Sequence, residues 1–207
     1  MSFKKGEWAV ILFNLAYIVI FAVYYTLIKN YEFLIYIAAL LVVALLVLFT
    51  LNKSHLDYLA LWGLSIWGLL HMSGGGLRIN GETLYRLKLI EFVNNGGDFY
   101  ILKMDQLIHF YGFLVAAIVL FQILALRFKD NKRSLLIIFF AWAGSMGLGA
   151  LNEVIEFLAF VSLAKTGVGD LYNTGLDLVF NLLGAFAGAI FGFYWNKNKK
   201  TINLKRL

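Results

Sequence analysis

Six apolar stretches run along the chain, separated by short polar segments: Trp8 to Ile28, Phe33 to Leu51, Tyr58 to Met72, Gln106 to Leu126, Leu135 to Leu163 and Leu176 to Trp195. A helix needs about 20 mainly apolar residues to cross a hydrocarbon core roughly 30 Å thick. The third stretch is short and carries Trp62, Trp67 and several glycines. The fifth is long for one crossing, and its outer third holds Asn152, Glu153 and Glu156. Lys4 and Lys5 precede the first stretch, which raises a signal peptide as the rival reading. The run is longer than a signal-peptide core and no small-residue cleavage site follows it, so a retained anchor is expected. The pattern predicts an all-α polytopic transmembrane bundle of about six spans. It forms a single domain over residues 1–207: two N-terminal spans within 1–56, a four-span unit over 57–195, and a basic tail over 196–207.

The polar interval from Ser73 to Met104 opens with Ser73-Gly74-Gly75-Gly76 and contains Asn94-Asn95-Gly96-Gly97, both turn signals. Leu84 to Phe92 reads as a short surface helix.

Composition agrees with a membrane solvent. Hydrophobic residues make up 61% of the 207 and charged residues 14%, against about 25% charged in a soluble domain. There is no cysteine, which excludes disulfides, thiolate metal sites and cysteine nucleophiles. There is no proline either, so any kink must come from the 19 glycines. The net charge of +6 is not a nucleic-acid footprint, because the basic residues sit at span ends and not on one amphipathic surface. One side of the six-span arrangement holds twelve Lys and Arg, chiefly Arg127 to Arg133 and the tail; the other holds six. By the positive-inside rule both termini are expected to be cytoplasmic, in a multi-pass cell-membrane protein, with the long loop outside.

Small residues recur at helix-packing intervals. Gly184, Gly188 and Gly192 repeat every four residues on the sixth span, and Ala141, Ser145 and Gly149 do so on the fifth. Such stripes let helix backbones approach closely in lipid.

Ionisable groups at membrane depth cost roughly 2.5 to 3.5 kcal/mol each. They are few here: His71, Asp105, His109, Glu153, Glu156 and Asp177, accompanied by Asn152, Asn181 and Asp170. Asp105 and His109 are one helical turn apart, as are Glu153 and Glu156, and Asp177 and Asn181. All fall at the same, non-cytoplasmic end of spans three to six. One polar cavity open to the outer face is expected, with the first two spans as plain lipid-facing helices. Three of these residues have a plainer role beside the functional one, whereas Glu153 and Glu156, deep in an apolar segment, are harder to dismiss. Asp105 could cap its span, His71 could sit at the interface, and Asp177 could complement the helix dipole. His55 and Asp57 read as ordinary loop residues on the cytoplasmic side.

Imidazole and carboxylates suit a divalent metal, here zinc, iron or manganese, and a vacant coordination position could activate water. The candidate metal ligands are His71, Asp105, His109, Glu153, Glu156 and Asp177. Without a metal, Glu153, Glu156 and Asp177 are the candidates for acid–base catalysis. The leading expectation is a membrane-embedded, metal-dependent enzyme acting on a lipid or lipid-linked envelope substrate. The alternatives are a binding or transport protein for a cation or small solute, and a non-catalytic protein whose polar network is structural.

Met104-Asp105-Gln106-Leu107-Ile108-His109-Phe110-Tyr111-Gly112-Phe113 resembles the Asp-x-x-x-His-Phe block of the YjdF-like bacterial inner membrane proteins, themselves similar to VanZ-like proteins. Gly149 to Glu156 resembles the next block. Gly169 to Asp177, followed by Asn181 to Ala185, resembles the third, and Leu70 to Gly75 the family's histidine near a glycine turn. The likeness covers about residues 70 to 190. It implies a multi-span membrane protein whose polar motif residues are Asp105, His109, Glu153, Glu156, Asp177 and Asn181. Asn173 stands where the third block usually has aspartate.

Overall fold

A computed structural model describes residues 3–91, 102–128, 134–163, 166–167 and 169–204, with side chains as far as Lys197. The described residues form six long helices: α1 (Lys5–Leu27), α2 (Tyr31–Ser54), α3 (Tyr58–Gly76), α4 (Met104–Arg127), α5 (Ser134–Ser162) and α6 (Leu171–Leu204). The polytopic helical bundle expected from the apolar pattern is the observed architecture.

Five of these helices, α1, α2, α4, α5 and the Leu171–Lys197 part of α6, are long and apolar enough to cross a membrane by length and composition. Large apolar side chains such as Leu12, Ile20, Leu46, Phe49, Leu135, Phe157 and Val161 point outward. Soluble monomers rarely expose so much contiguous apolar surface. The sixth helix, α3, has 19 residues, or about 28 Å at the α-helical rise. Its hydropathy is lower because it faces protein, not lipid. Ala60, Gly63, Ser65, Gly68, His71, Ser73, Gly74 and Gly76 are all buried, in contact mainly with α1 and α4.

Local chemistry sets the helix boundaries. Asn30 Oδ1 accepts the Phe33 amide at 3.2 Å and starts α2. His55 closes α2 in the left-handed conformation at φ 49°, and Asp57 Oδ1 accepts the Ala60 amide at 3.0 Å to start α3. Asp57 is more than a loop residue. Its carboxylate also accepts from Gln122 of α4 at 3.0 Å and from the Trp195 indole of α6 at 2.8 Å. It therefore knits three helices at the end opposite the polar cluster. Asp57→Ala removes a cap worth about 1 kcal/mol and leaves an indole N–H without its acceptor. A loss of roughly 2 kcal/mol is expected, read as a lower unfolding midpoint in detergent and partly restored by Asp57→Asn.

The connection after α3 is not the expected surface helix. Strands β1 (Arg78–Ile79) and β2 (Glu82–Thr83) pair around Asn80 and Gly81, both at positive φ. A 3-10 turn over Leu84–Arg86 follows, then β3 (Lys88–Ile90) paired with β4 (Leu102–Lys103). Tertiary pairing overrides the helical reading here: Leu84 donates to Leu77 and Met104 to Leu87, both at 2.9 Å. The Asn94-Asn95-Gly96-Gly97 turn and Phe92 lie outside the described residues. The tail expected from Asn196 continues as helix to Leu204.

The glycine stripe of α6 packs on α4. A Cβ at Gly184 would fall on the Phe110 carbonyl, and one at Gly188 on the Leu114 carbonyl. Ala185 and Ala189 are fully buried alongside. The stripe on α5 meets both neighbours: Ser145 Oγ donates to the Phe113 carbonyl at 2.7 Å, and Gly149 lies against Asn181.

α1 and α2 are not the plain lipid-facing helices expected. Tyr17, Tyr25, Phe33 and Tyr36 form a buried cluster with Met72 of α3 and Ala159 of α5. Glu32 is buried as well. The motif-free sequence concealed this because the inward residues are aromatic, and apolarity alone does not separate a lipid-facing ring from a packed one.

Candidate metal centre

The polar residues of α4, α5 and α6 converge on His109. It lies one turn into α4 and is 4% exposed. Nε2 lies 3.7 Å from Asp105 Oδ1 on the same helix and 3.9 Å from Glu156 Oε1 of α5. Nδ1 lies 3.5 Å from Glu153 Oε1 and 3.0 Å from Asn181 Oδ1 of α6. Two sets of side chains each bring ligand atoms within 4.8 Å of one another: Asp105, His109 and Asp177, and His109, Glu153 and Glu156. Five of the six residues expected from the sequence are thus adjacent.

Neutral amides hold the carboxylates in place. Gln106, fully buried, donates to Asp177 Oδ1 at 3.2 Å. Asn173 Nδ2 reaches Asp177 Oδ2 at 2.6 Å and Asp105 Oδ2 at 3.1 Å. Asn152 donates to Glu156 at 2.7 Å. Asn173, where an aspartate was the family expectation, links two acids in place of adding a third. Asp105 does not cap α4: Lys103 precedes the helix, and its amide donates to Gln106 Oε1 at 2.7 Å. Asp170 is the cap of α6, accepting the Asn173 amide at 3.0 Å, which leaves Asp177 deeper and 1% exposed.

His71 stands apart from both sets. Tyr85 lies 2.5 Å from its Nδ1 and donates to its carbonyl at 3.0 Å. Both contacts are satisfied together when Nδ1 carries the ring proton. The rings of Tyr36, Trp67 and Phe33 surround the imidazole at 5.6, 5.7 and 6.4 Å. Burial, then the charges of Asp105 and Glu156, push the Tyr85 phenol well above its ordinary range, so the hydroxyl stays a donor. Tyr85→Phe strips a buried histidine of its partner. The expected cost is about 1–2 kcal/mol, with faster amide exchange over residues 84–90 as the measurement.

Sequence reasoning missed Gln106, Tyr85 and Glu32. Gln106 had a signal, since a glutamine at the third helical position commonly reaches back to the preceding amide. Glu32 sits at the same depth as the others. It accepts from Tyr36 at 3.1 Å and from the Gly167 amide at 2.5 Å, tying the start of α2 to the α5–α6 connection. Tyr85 lies in a loop, where no periodicity aims a side chain.

The centre is short of positive charge. Asp105, Glu153, Glu156 and Asp177 face one imidazole, and no described Lys or Arg pairs with any of them. Glu153 Oε1 and Asn181 Nδ2 are buried without a hydrogen-bond partner among the described residues. Buried polar atoms rarely go unpaired; two of the three such side-chain atoms among the described residues lie in this cluster, the third being Trp142 Nε1.

A family model described as predicted membrane protein (DUF2238) matches residues 8–198. The chain belongs to that family. The matched DUF2238 region takes in α1 and α2 as well as the four motif-bearing helices, so the aromatic wall around His71 lies within the family's own span. No curated protein and no solved structure matches the chain.

Proposed function

We propose that the protein is a metal-dependent enzyme of the cell membrane that acts on a lipid or lipid-linked envelope substrate at the outer face. The observation that carries this reading is the buried excess of four carboxylates around His109, with an unpaired oxygen on Glu153. Burying an uncompensated carboxylate is expensive, and a divalent cation is the compensation this donor set fits. Carboxylate ligation suits manganese and the imidazole suits iron or zinc, with open positions for water or substrate. Such a cation polarises a phosphoryl or carbonyl oxygen, or activates water. The chain's own contribution is orientation. Gln106, Asn152 and Asn173 fix the carboxylates, and these outer contacts typically control metal affinity by 10–100-fold.

A lipid substrate is favoured by the apolar groove between α2 and α5. Ile35, Ala38, Ala39 and Val42 face Ile155, Leu158, Ala159 and Ser162 across about 420 Å³. Ile155, which lines the groove, and Glu156 of the centre are consecutive residues of α5. Its volume lies within the range of small-molecule sites, whereas two turns of a helix occupy about 800 Å³ from the dimensions of an α-helix. The excess of Lys and Arg at the opposite end supports cytoplasmic termini and an outward-facing centre. The order of the motif blocks supports a YjdF-like relationship, with VanZ-like proteins further off.

Elemental analysis of protein purified in detergent tests the reading. Near-stoichiometric manganese, iron or zinc is expected in the wild type, reduced in Glu153→Ala. Metal-free wild-type protein that does not take up these ions would overturn it.

A further inference from the structure

We infer that the centre holds two divalent cations, one on each side of His109. The inference rests on the metal-dependent reading above and specifies its stoichiometry. Three observations carry it: the partition of the ligand atoms, the charge and the unpaired atoms.

The two sets overlap only at the imidazole. Asp105 and Asp177 come from α4 and α6 and are joined through Asn173. Glu153 and Glu156 come from α5, and Asn152 orients Glu156. Each pair thus has its own positioning amide. Nδ1 of His109 faces the Asn181 carbonyl oxygen at 3.0 Å, a contact made when Nδ1 carries the proton. Nε2 then bears the lone pair, 3.7 Å from Asp105 Oδ1 and 3.9 Å from Glu156 Oε1. A neutral imidazole lends that lone pair to one cation, which we take to be the one beside Asp105 and Asp177. The second cation relies on Glu153 and Glu156, whose oxygens complete an oxygen-rich site.

With all four carboxylates ionised and the imidazole neutral, one divalent cation leaves a net charge of −2 in the cluster. Two cations cancel it. A Lys or Arg side chain, one alternative to a cation besides protonation of the acids, does not reach them among the described residues. The unpaired Glu153 Oε1 belongs to the second set, and it is this set that a single cation beside Asp105 and Asp177 leaves unserved.

The test is metal stoichiometry on the full-length protein in lipid nanodiscs, reconstituted with Mn²⁺. Two ions per chain are expected, and the electron paramagnetic resonance spectrum should show a spin-coupled pair. Asp177→Asn and Glu153→Gln should each retain one ion and convert the spectrum to an uncoupled six-line signal. A wild type that saturates at one uncoupled ion overturns the inference and leaves the single-metal reading standing. A wild type that binds no Mn²⁺, and no Fe²⁺ or Zn²⁺ in the same assay, overturns both. The wild-type spectrum decides the matter even if a variant fails to fold.

Discussion

On the metal reading, His109→Ala is expected to lose the cation held with Asp105 and Asp177. The imidazole is the only nitrogen ligand in either set, and both sets are built around it. Outer contacts at metal sites are worth 10–100-fold in affinity, so loss of this inner ligand should exceed about a hundredfold. Titration with Mn²⁺ or Zn²⁺ would measure it, with Asn152→Ala expected to show the smaller, outer-contact loss. The fold should survive, because Gly184 and Gly188 still hold α6 against α4 when the His109–Asn181 contact is lost. Retention of wild-type affinity in a folded His109→Ala protein would move the metal elsewhere.

Gly188→Leu should have the largest effect on folding. Its Cβ would fall on the Leu114 carbonyl, a backbone atom that no rotamer change can move. The two helices would have to separate, opening the contact that places Asp177 and Asn181 beside His109. Overpacking usually costs about 1–3 kcal/mol, and a backbone obstruction lies at the top of that range. Little protein should accumulate in the membrane, and what does should unfold early. Gly147 supplies the contrast, since a Cβ there meets nothing within 4 Å. Gly147→Ala should be neutral or stabilising by up to about 1 kcal/mol, from helix propensity alone. A comparable loss in both variants would mean that glycine content, and not the close approach, governs stability.

The part of the fold legible in the sequence is the part written in periodicity. Six helices, the α6 glycine stripe and five converging polar residues follow from spacing of three and four and from depth. His71 had the right depth but a different neighbour, because its partner Tyr85 comes from a loop whose path is set by strand pairing. The roles of α1 and α2 were hidden for a related reason. Tyr25, Phe33 and Tyr36 are apolar enough for lipid, and only tertiary packing reveals that they face inward. Asp57 looked like a loop residue because its partners Gln122 and Trp195 lie far along the chain.

The composition of α3 has a consequence for how the protein is made. Its glycines, serines and histidine are suited to neighbours that do not yet exist when the segment leaves the ribosome. A helix of this kind has little reason to partition into lipid on its own. It should linger beside the insertion machinery until α4 emerges, and enter the bilayer together with it. Truncation after residue 90 should therefore leave α3 poorly inserted, whereas extension through Arg127 should restore it, read by glycosylation-site mapping of the segment.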